Sequence, residues 1–124
     1  MNRKRPVNLD VTTIRLPLPA YTSILHRVAG ILLFVGMVAI LYAFHLSLAS
    51  EESFASVKTV LASGVVKFFV WVLISALIYH FVAGVKHLLM DVDVGDGKES
   101  GKAGAVITLV VSAILIVLAG GWIW

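Results

Sequence analysis

Cysteine is absent from the 124 residues. Disulfides, thiolate-held iron–sulfur clusters and covalently attached haem are therefore excluded within this chain. Any metal chemistry falls to the four histidines or, less readily, to the three methionines. Charge is also scarce, at 14% of residues, and no carboxylate lies inside any of the three long apolar runs. Proton-coupled carriers commonly rely on an intramembrane carboxylate, which disfavours a small transporter or channel subunit. Proline is confined to Pro6, Pro17 and Pro19. Prolines bias their predecessors toward extended or turn conformations, so the first helix is expected just after Pro19.

What remains is apolar. Hydrophobic residues make up 60% of the chain, against about half in a globular domain. They fall into long runs rather than a periodic pattern. Val28 to Ser50 carries no residue of fixed charge, Lys67 to Asp91 holds an apolar stretch between Lys67 and Lys86, and Ala103 to Trp124 ends in Trp122 and Trp124. Each run has roughly the length needed to cross a bilayer core, and the terminal tryptophans suit an interface belt. The expected fold is an all-α membrane protein forming one membrane-anchor domain over residues 1–124. Transmembrane helices are expected over about 20–50, 62–90 and 103–124, after a cytoplasmic arm of residues 1–19. The first run is too long for a cleaved signal peptide and lacks a small-residue cleavage site. The basic residues of 1–6 abut the fold directly and do not read as a mitochondrial presequence.

Two polar stretches separate the runs. Glu51 to Lys58 reads as a connector rich in small and acidic residues. Asp91 to Lys102 reads as a solvated loop marked by three glycines. Its Asp91, Asp93, Asp96 and Glu99 lack the spacing of an EF-hand. Lys and Arg set the orientation. Arg3, Lys4, Arg5, Arg15 and Arg27 precede the first run, and Lys86, Lys98 and Lys102 flank the second loop. Only Lys58 and Lys67 lie on the opposite side. The positive-inside rule places the amino terminus in the cytoplasm and the carboxyl terminus on the outer side. The net charge of +3 thus collects at membrane edges and is no sign of nucleic acid.

Two polar groupings interrupt this pattern. His80 lies well inside the second run, where an unpartnered imidazole is costly. Gly84 and His87 follow at i+4 and i+7, near the same helix face. Gly84 leaves room for a flat group, which suits a macrocycle ligated by His80. A neutral histidine bonded to a serine or carbonyl of a neighbouring helix reads equally well. The second grouping is Ser23, His26, Arg27 and Gly30, whose spacing shares one helix face at the start of the first helix. A hydroxyl, an imidazole and a guanidinium beside an apolar slab suit a molecule with a polar head and a greasy tail. Ordinary anchoring, with Arg27 reaching up to head groups, is the alternative. His45 reads as an interface residue, Tyr42, Trp71 and Tyr79 as packing or belt aromatics, and Gly30 and Gly36 as close-packing positions.

Three passages, taken together, resemble the cytochrome b556 membrane-anchor family of succinate dehydrogenase. They are Arg5-Pro-Val-Asn-Leu-Asp-Val11, Ser23-Ile-Leu-His-Arg27 and His80-Phe-Val-Ala-Gly-Val-Lys-His-Leu-Leu-Met-Asp91. Their order and spacing agree over nearly the whole chain. Three positions depart from the family pattern: Ala29 stands where serine or threonine is common, Lys86 replaces an arginine, and Asp93 replaces a small residue. The resemblance implies that His80 is the axial ligand of a b-type haem. It implies that Ser23 and Arg27 serve a ubiquinone site, with His26, Arg27 and His87 near the haem. It further implies a smaller membrane-anchor subunit and soluble flavoprotein and iron–sulfur subunits as partners, in a bacterial inner membrane. A haem-free structural anchor is the main rival, and fumarate reductase anchoring is a near neighbour.

Such a chain is expected to supply only one of two haem ligands. Trans imidazoles must face each other through the iron. His87 is about 10 Å from His80 along one helix, and His45 is about 27 Å from Arg27 along the other. His26 reads as lying on the membrane boundary, with His80 deeper, so a partner subunit is expected to provide the second histidine.

Overall fold

The structure, a computed structural model, describes residues 5–10 and 12–124. Arg3 and Lys4 of the basic arm, and Val11, lie outside the described residues. Four helices follow in order: α1 (Leu18–Ser47), α2 (Glu51–Ala62), α3 (Gly64–Asp91) and α4 (Lys98–Ile123). The described residues contain no strand. Helices α1, α3 and α4 are each long and apolar enough to cross a membrane.

Three boundaries differ from expectation, each for a local reason. α1 begins at Leu18 rather than after Pro19, because a proline in the first turn gives up an N–H that has no helical acceptor anyway. The connector is itself helical. Ser50 caps α2 by accepting the Ser53 amide at 3.0 Å, and Glu51 and Glu52 sit in the first turn, where the helix dipole favours negative charge. α4 starts at Lys98, ahead of its apolar run, because its first turn is polar. Ser63, in extended conformation, breaks the chain between α2 and α3, and its hydroxyl accepts the Val66 amide at 3.4 Å.

α1 and α3 run antiparallel: Thr22 meets Lys86, His26 meets His80, and Gly36 meets Leu73. α3 and α4 are antiparallel too, with Lys86 against Gly104 and Trp71 against Ile116 and Gly120. Small residues occupy the helix interfaces. Ala29, Ala76, Ala83 and Ala105 are buried, as are Thr22, Thr108 and Ser112. Large apolar side chains point outward, Phe34 and Val117 among them. That inversion of a soluble core is expected in lipid, where apolar residues gain nothing by leaving the solvent and helices associate by close packing.

With no water in a bilayer core, polar side chains must find protein acceptors. The Trp71 indole N–H donates to the Ile116 carbonyl at 3.0 Å, and its ring also meets Trp124 at 6.2 Å between centroids. At the far end of α3, the Asp93 amide donates to Met90 O at 3.0 Å and the Val94 amide to Leu89 O at 2.9 Å, closing the helix. Asp93 has φ 61° and Gly95 φ 77°. In the arm, Asp10 accepts both the amide (2.9 Å) and the hydroxyl (2.6 Å) of Thr12. These bonds hold the exposed Asp10 carboxyl below its usual pKa.

Two predictions follow from these contacts. A Cβ at Gly120 would lie 3.1 Å from Trp71 Nε1, whereas one at Gly121 meets nothing within 4 Å. Gly120→Ala is therefore expected to destabilise by about 1–3 kcal/mol as the indole is pushed off its acceptor. Gly121→Ala is expected to be neutral or stabilising by about 0.5–1 kcal/mol. Heat denaturation of the detergent-solubilised protein compares the two. For Asp10 the folded pKa is depressed, so the stability that its turn gains is present above the unfolded pKa and lost as pH falls through the folded one. The Thr12 amide resonance is expected to shift only at pH values below the ordinary range of an aspartate carboxyl.

Candidate functional site

Three imidazoles meet on the α1–α3 seam. The His26 ring from α1 stacks on His80 at 4.2 Å between centroids, tilted by 17°, and on His87 at 4.9 Å, tilted by 19°. The order of the stack follows from helix geometry. His80 and His87 are two turns apart on α3, and Gly84 lies between them on the same face. A Cβ at Gly84 would stand 3.5 Å from His26 Nε2. The His26 imidazole is thus the group of a neighbouring helix that meets Gly84. Gly30, one turn along α1, allows the matching approach, since a Cβ there would lie 3.2 Å from His80 Cε1.

Hydrogen bonds fix the tautomers of the outer two rings. His80 Nδ1 donates to the His26 carbonyl at 3.2 Å, and His87 Nδ1 donates to the Ala83 carbonyl at 2.6 Å. A carbonyl oxygen only accepts, so each Nδ1 carries a proton, and in the neutral ring that leaves a lone pair on Nε2. An imidazole held in this way is prepared to bind a metal through Nε2. His26 differs: its Nε2 is buried and has no hydrogen-bond partner among the described residues. Among the described residues, no three His or acidic side chains converge as a self-contained metal site would need.

The depth expected for His26 needs correction. Counting from Arg27 and Lys86 put His26 at the boundary and His80 well below it. Yet the His26 and His80 rings stack at 4.2 Å between centroids, so the antiparallel pair sets them level. The His26 ring lies face to face with that of His80. His45 sits exposed in the last turn of α1, at the other end of the bundle.

Ser23 is half-buried and Arg27 exposed at the lip of the seam. Two further residues line the same seam: Tyr79, which the sequence reads as a packing or belt aromatic, and Thr22, which it does not single out. Tyr79 is buried and donates its hydroxyl to the Thr22 carbonyl at 2.7 Å. Thr22 is fully buried and its hydroxyl accepts from Lys86 Nζ at 3.4 Å while donating to Pro19 O at 2.9 Å. The signal available in the sequence was Tyr79 itself, a phenol inside an apolar run that has to reach an acceptor.

Residues 1–119 match the family model described as the succinate dehydrogenase/fumarate reductase transmembrane subunit. The chain belongs to this family. One member, the succinate dehydrogenase cytochrome b556 subunit of Coxiella burnetii (strain RSA 493 / Nine Mile phase I), is 44% identical over 125 residues and covers both chains fully. The succinate dehydrogenase cytochrome b556 subunit of Paracoccus denitrificans is 32% identical over 114 residues, covering 92% of this chain and 88% of its own. Both relatives are thus subunits of an oxidoreductase complex. The three apolar helices agree with a transmembrane subunit of the succinate dehydrogenase/fumarate reductase family.

Proposed function

We propose that this chain is the larger membrane-anchor, cytochrome b subunit of a bacterial succinate:ubiquinone oxidoreductase. In this reading His80 is one axial ligand of a b-type haem, and Ser23 and Arg27 belong to the site of ubiquinone reduction. The observation that carries the reading is the hydrogen bond from His80 Nδ1 to the His26 carbonyl, which leaves Nε2 as the donor atom for iron. The buried, unpartnered Nε2 of His26 adds a second polar atom with unmet hydrogen-bonding capacity beside it. His26, Arg27 and His87 are then the groups that neighbour the haem and its propionates. When bound there, the haem supplies a one-electron relay.

The chain's own residues suit the chemistry of the quinone. Ser23 donates a hydrogen bond to a quinone carbonyl oxygen. Arg27, permanently charged, offsets the negative charge that builds on that oxygen as electrons arrive from a neighbouring cluster. Its exposed position at the lip of the seam leaves room for a polar head with a tail in the lipid. Protons reach the oxygens from water at the membrane edge. By the distribution of Lys and Arg, that edge is cytoplasmic in the inner membrane. Flavoprotein and iron–sulfur subunits would dock there, against the arm and the turn between α3 and α4. The smaller anchor subunit would cover the half-buried His80 and supply the second ligand.

Two measurements test this. In the assembled complex, Ser23→Ala or Arg27→Leu is expected to slow quinone reduction about 10²-fold, while succinate oxidation by soluble artificial acceptors persists. Wild-type quinone turnover in both variants would remove the assignment. The serine variant is the cleaner one, since Arg27 also neighbours the haem. Second, the chain expressed alone is expected to bind haem weakly or in a high-spin form, and co-expression with the smaller anchor to restore a low-spin spectrum. A stable low-spin bis-histidine haem in the isolated monomer would overturn the single-ligand reading. Oligomeric state is measured alongside, because a homodimer could present two copies of His80.

A further inference from the structure

Consecutive residues of α3 grip α1 at two carbonyls exactly one turn of sequence apart. Tyr79 holds the Thr22 carbonyl at 2.7 Å and His80 holds the His26 carbonyl at 3.2 Å. Each carbonyl belongs to a rigid, planar peptide unit whose nitrogen is that of the next residue. The gripped units are therefore those that carry Ser23 and Arg27, the two residues assigned above to the quinone. The Tyr79 bond is the shorter and more deeply enclosed of the two, with Tyr79 and Thr22 both buried. Thr22 is held a second time, through its hydroxyl, by Lys86 and Pro19.

We infer that Tyr79 is a positioning residue for quinone reduction: its hydroxyl sets the Thr22–Ser23 peptide, and with it the Ser23 side chain, against the seam. The inference rests on the proposed quinone site. Tyr79 is buried and reaches backbone, so it acts through Ser23 and not by touching the quinone. Thr22 O already accepts within the helix, so losing the tyrosine donor leaves α1 formed but frees its first turns to shift relative to α3. Bulk packing is kept in Tyr79→Phe, which removes one oxygen and nothing else.

The test uses the assembled, membrane-extracted complex with a short-chain ubiquinone, and with a soluble artificial acceptor as control. Tyr79→Phe is expected to lower kcat/KM for the quinone about fivefold, the effect of losing one net hydrogen bond, and to leave the artificial-acceptor rate unchanged. p-Aminophenylalanine at position 79 keeps the ring and an N–H donor, and is expected to restore most of the loss. Should the phenylalanine variant fail to assemble, p-fluorophenylalanine at position 79, which keeps the ring and lacks a donor, takes its place: impaired quinone kinetics supports the donor role, and wild-type quinone kinetics removes it. In the Ser23→Ala background, Tyr79→Phe is expected to add almost nothing, since two residues acting through one contact are not additive. Wild-type quinone kinetics in Tyr79→Phe, or an undiminished further loss in the Ser23→Ala background, would overturn the inference. Ser23→Ala with wild-type quinone kinetics would remove the quinone-site reading and this inference together. An impaired Ser23→Ala beside an unimpaired Tyr79→Phe would remove the inference alone.

Discussion

The polar end of this protein depends on side chains of α3 donating to carbonyls of α1. In a bilayer core a phenol or imidazole N–H has no water to fall back on, so it must find an acceptor within the protein. Helix carbonyls keep a second lone pair after their own i+4 bond, and they are the acceptors used here. Tyr79 and His80 take the carbonyls of Thr22 and His26, and Trp71 does the same to Ile116 on α4. These bonds have a geometric precondition. Helices must approach closely enough for a side chain to span them, which is what Ala29, Gly30, Ala76 and Ala83 along the α1–α3 seam permit.

The polar side chains of the α1–α3 seam gather at one end of the bundle. Thr22, His26, Tyr79, His80, Lys86 and His87 all lie where the start of α1 meets the end of α3. Toward the other end the seam turns apolar and widens into a groove of about 420 Å³ between α1, α2 and α3, lined by Leu32, Val35, Leu61 and Leu73 among others. The stacked histidines are half-buried rather than enclosed. That exposure fits a chain that works against partner subunits and lipid rather than alone.

The three departures from the family pattern acquire separate physical meanings. Ala29 is 5% exposed and packs with Ala76, Tyr79 and Ala83. A hydroxyl at that position would sit within the helix interface. Lys86 runs beside Gly104 and donates to Thr22, so it ties α1, α3 and α4 together where they meet. Its flexible point charge suits that role, which does not call for the planar fork of an arginine. Asp93 has φ 61°, the left-handed conformation that glycine alone takes without penalty and that aspartate tolerates better than most other side chains.

The three long helices and their apolar character were legible in the sequence. Run length against bilayer thickness is a one-dimensional property, and a histidine among apolar residues stands out without any knowledge of its neighbours. Helix α2 escaped notice because its signal is a serine cap and two acids rather than hydrophobicity. The family, too, was legible, since motif order survives in the chain itself. The level at which His26 meets His80 was not legible. It depends on where α1 and α3 begin and end and on how one slides past the other, and residue counting from charged edges misjudged both. Only the packed structure decided that His26 fills the space over Gly84, that His80 is locked with Nε2 free, and that Tyr79 reaches the peptide before Ser23. Each of these is a contact between residues more than fifty positions apart, set by the register of two antiparallel helices, and no local pattern encodes that register.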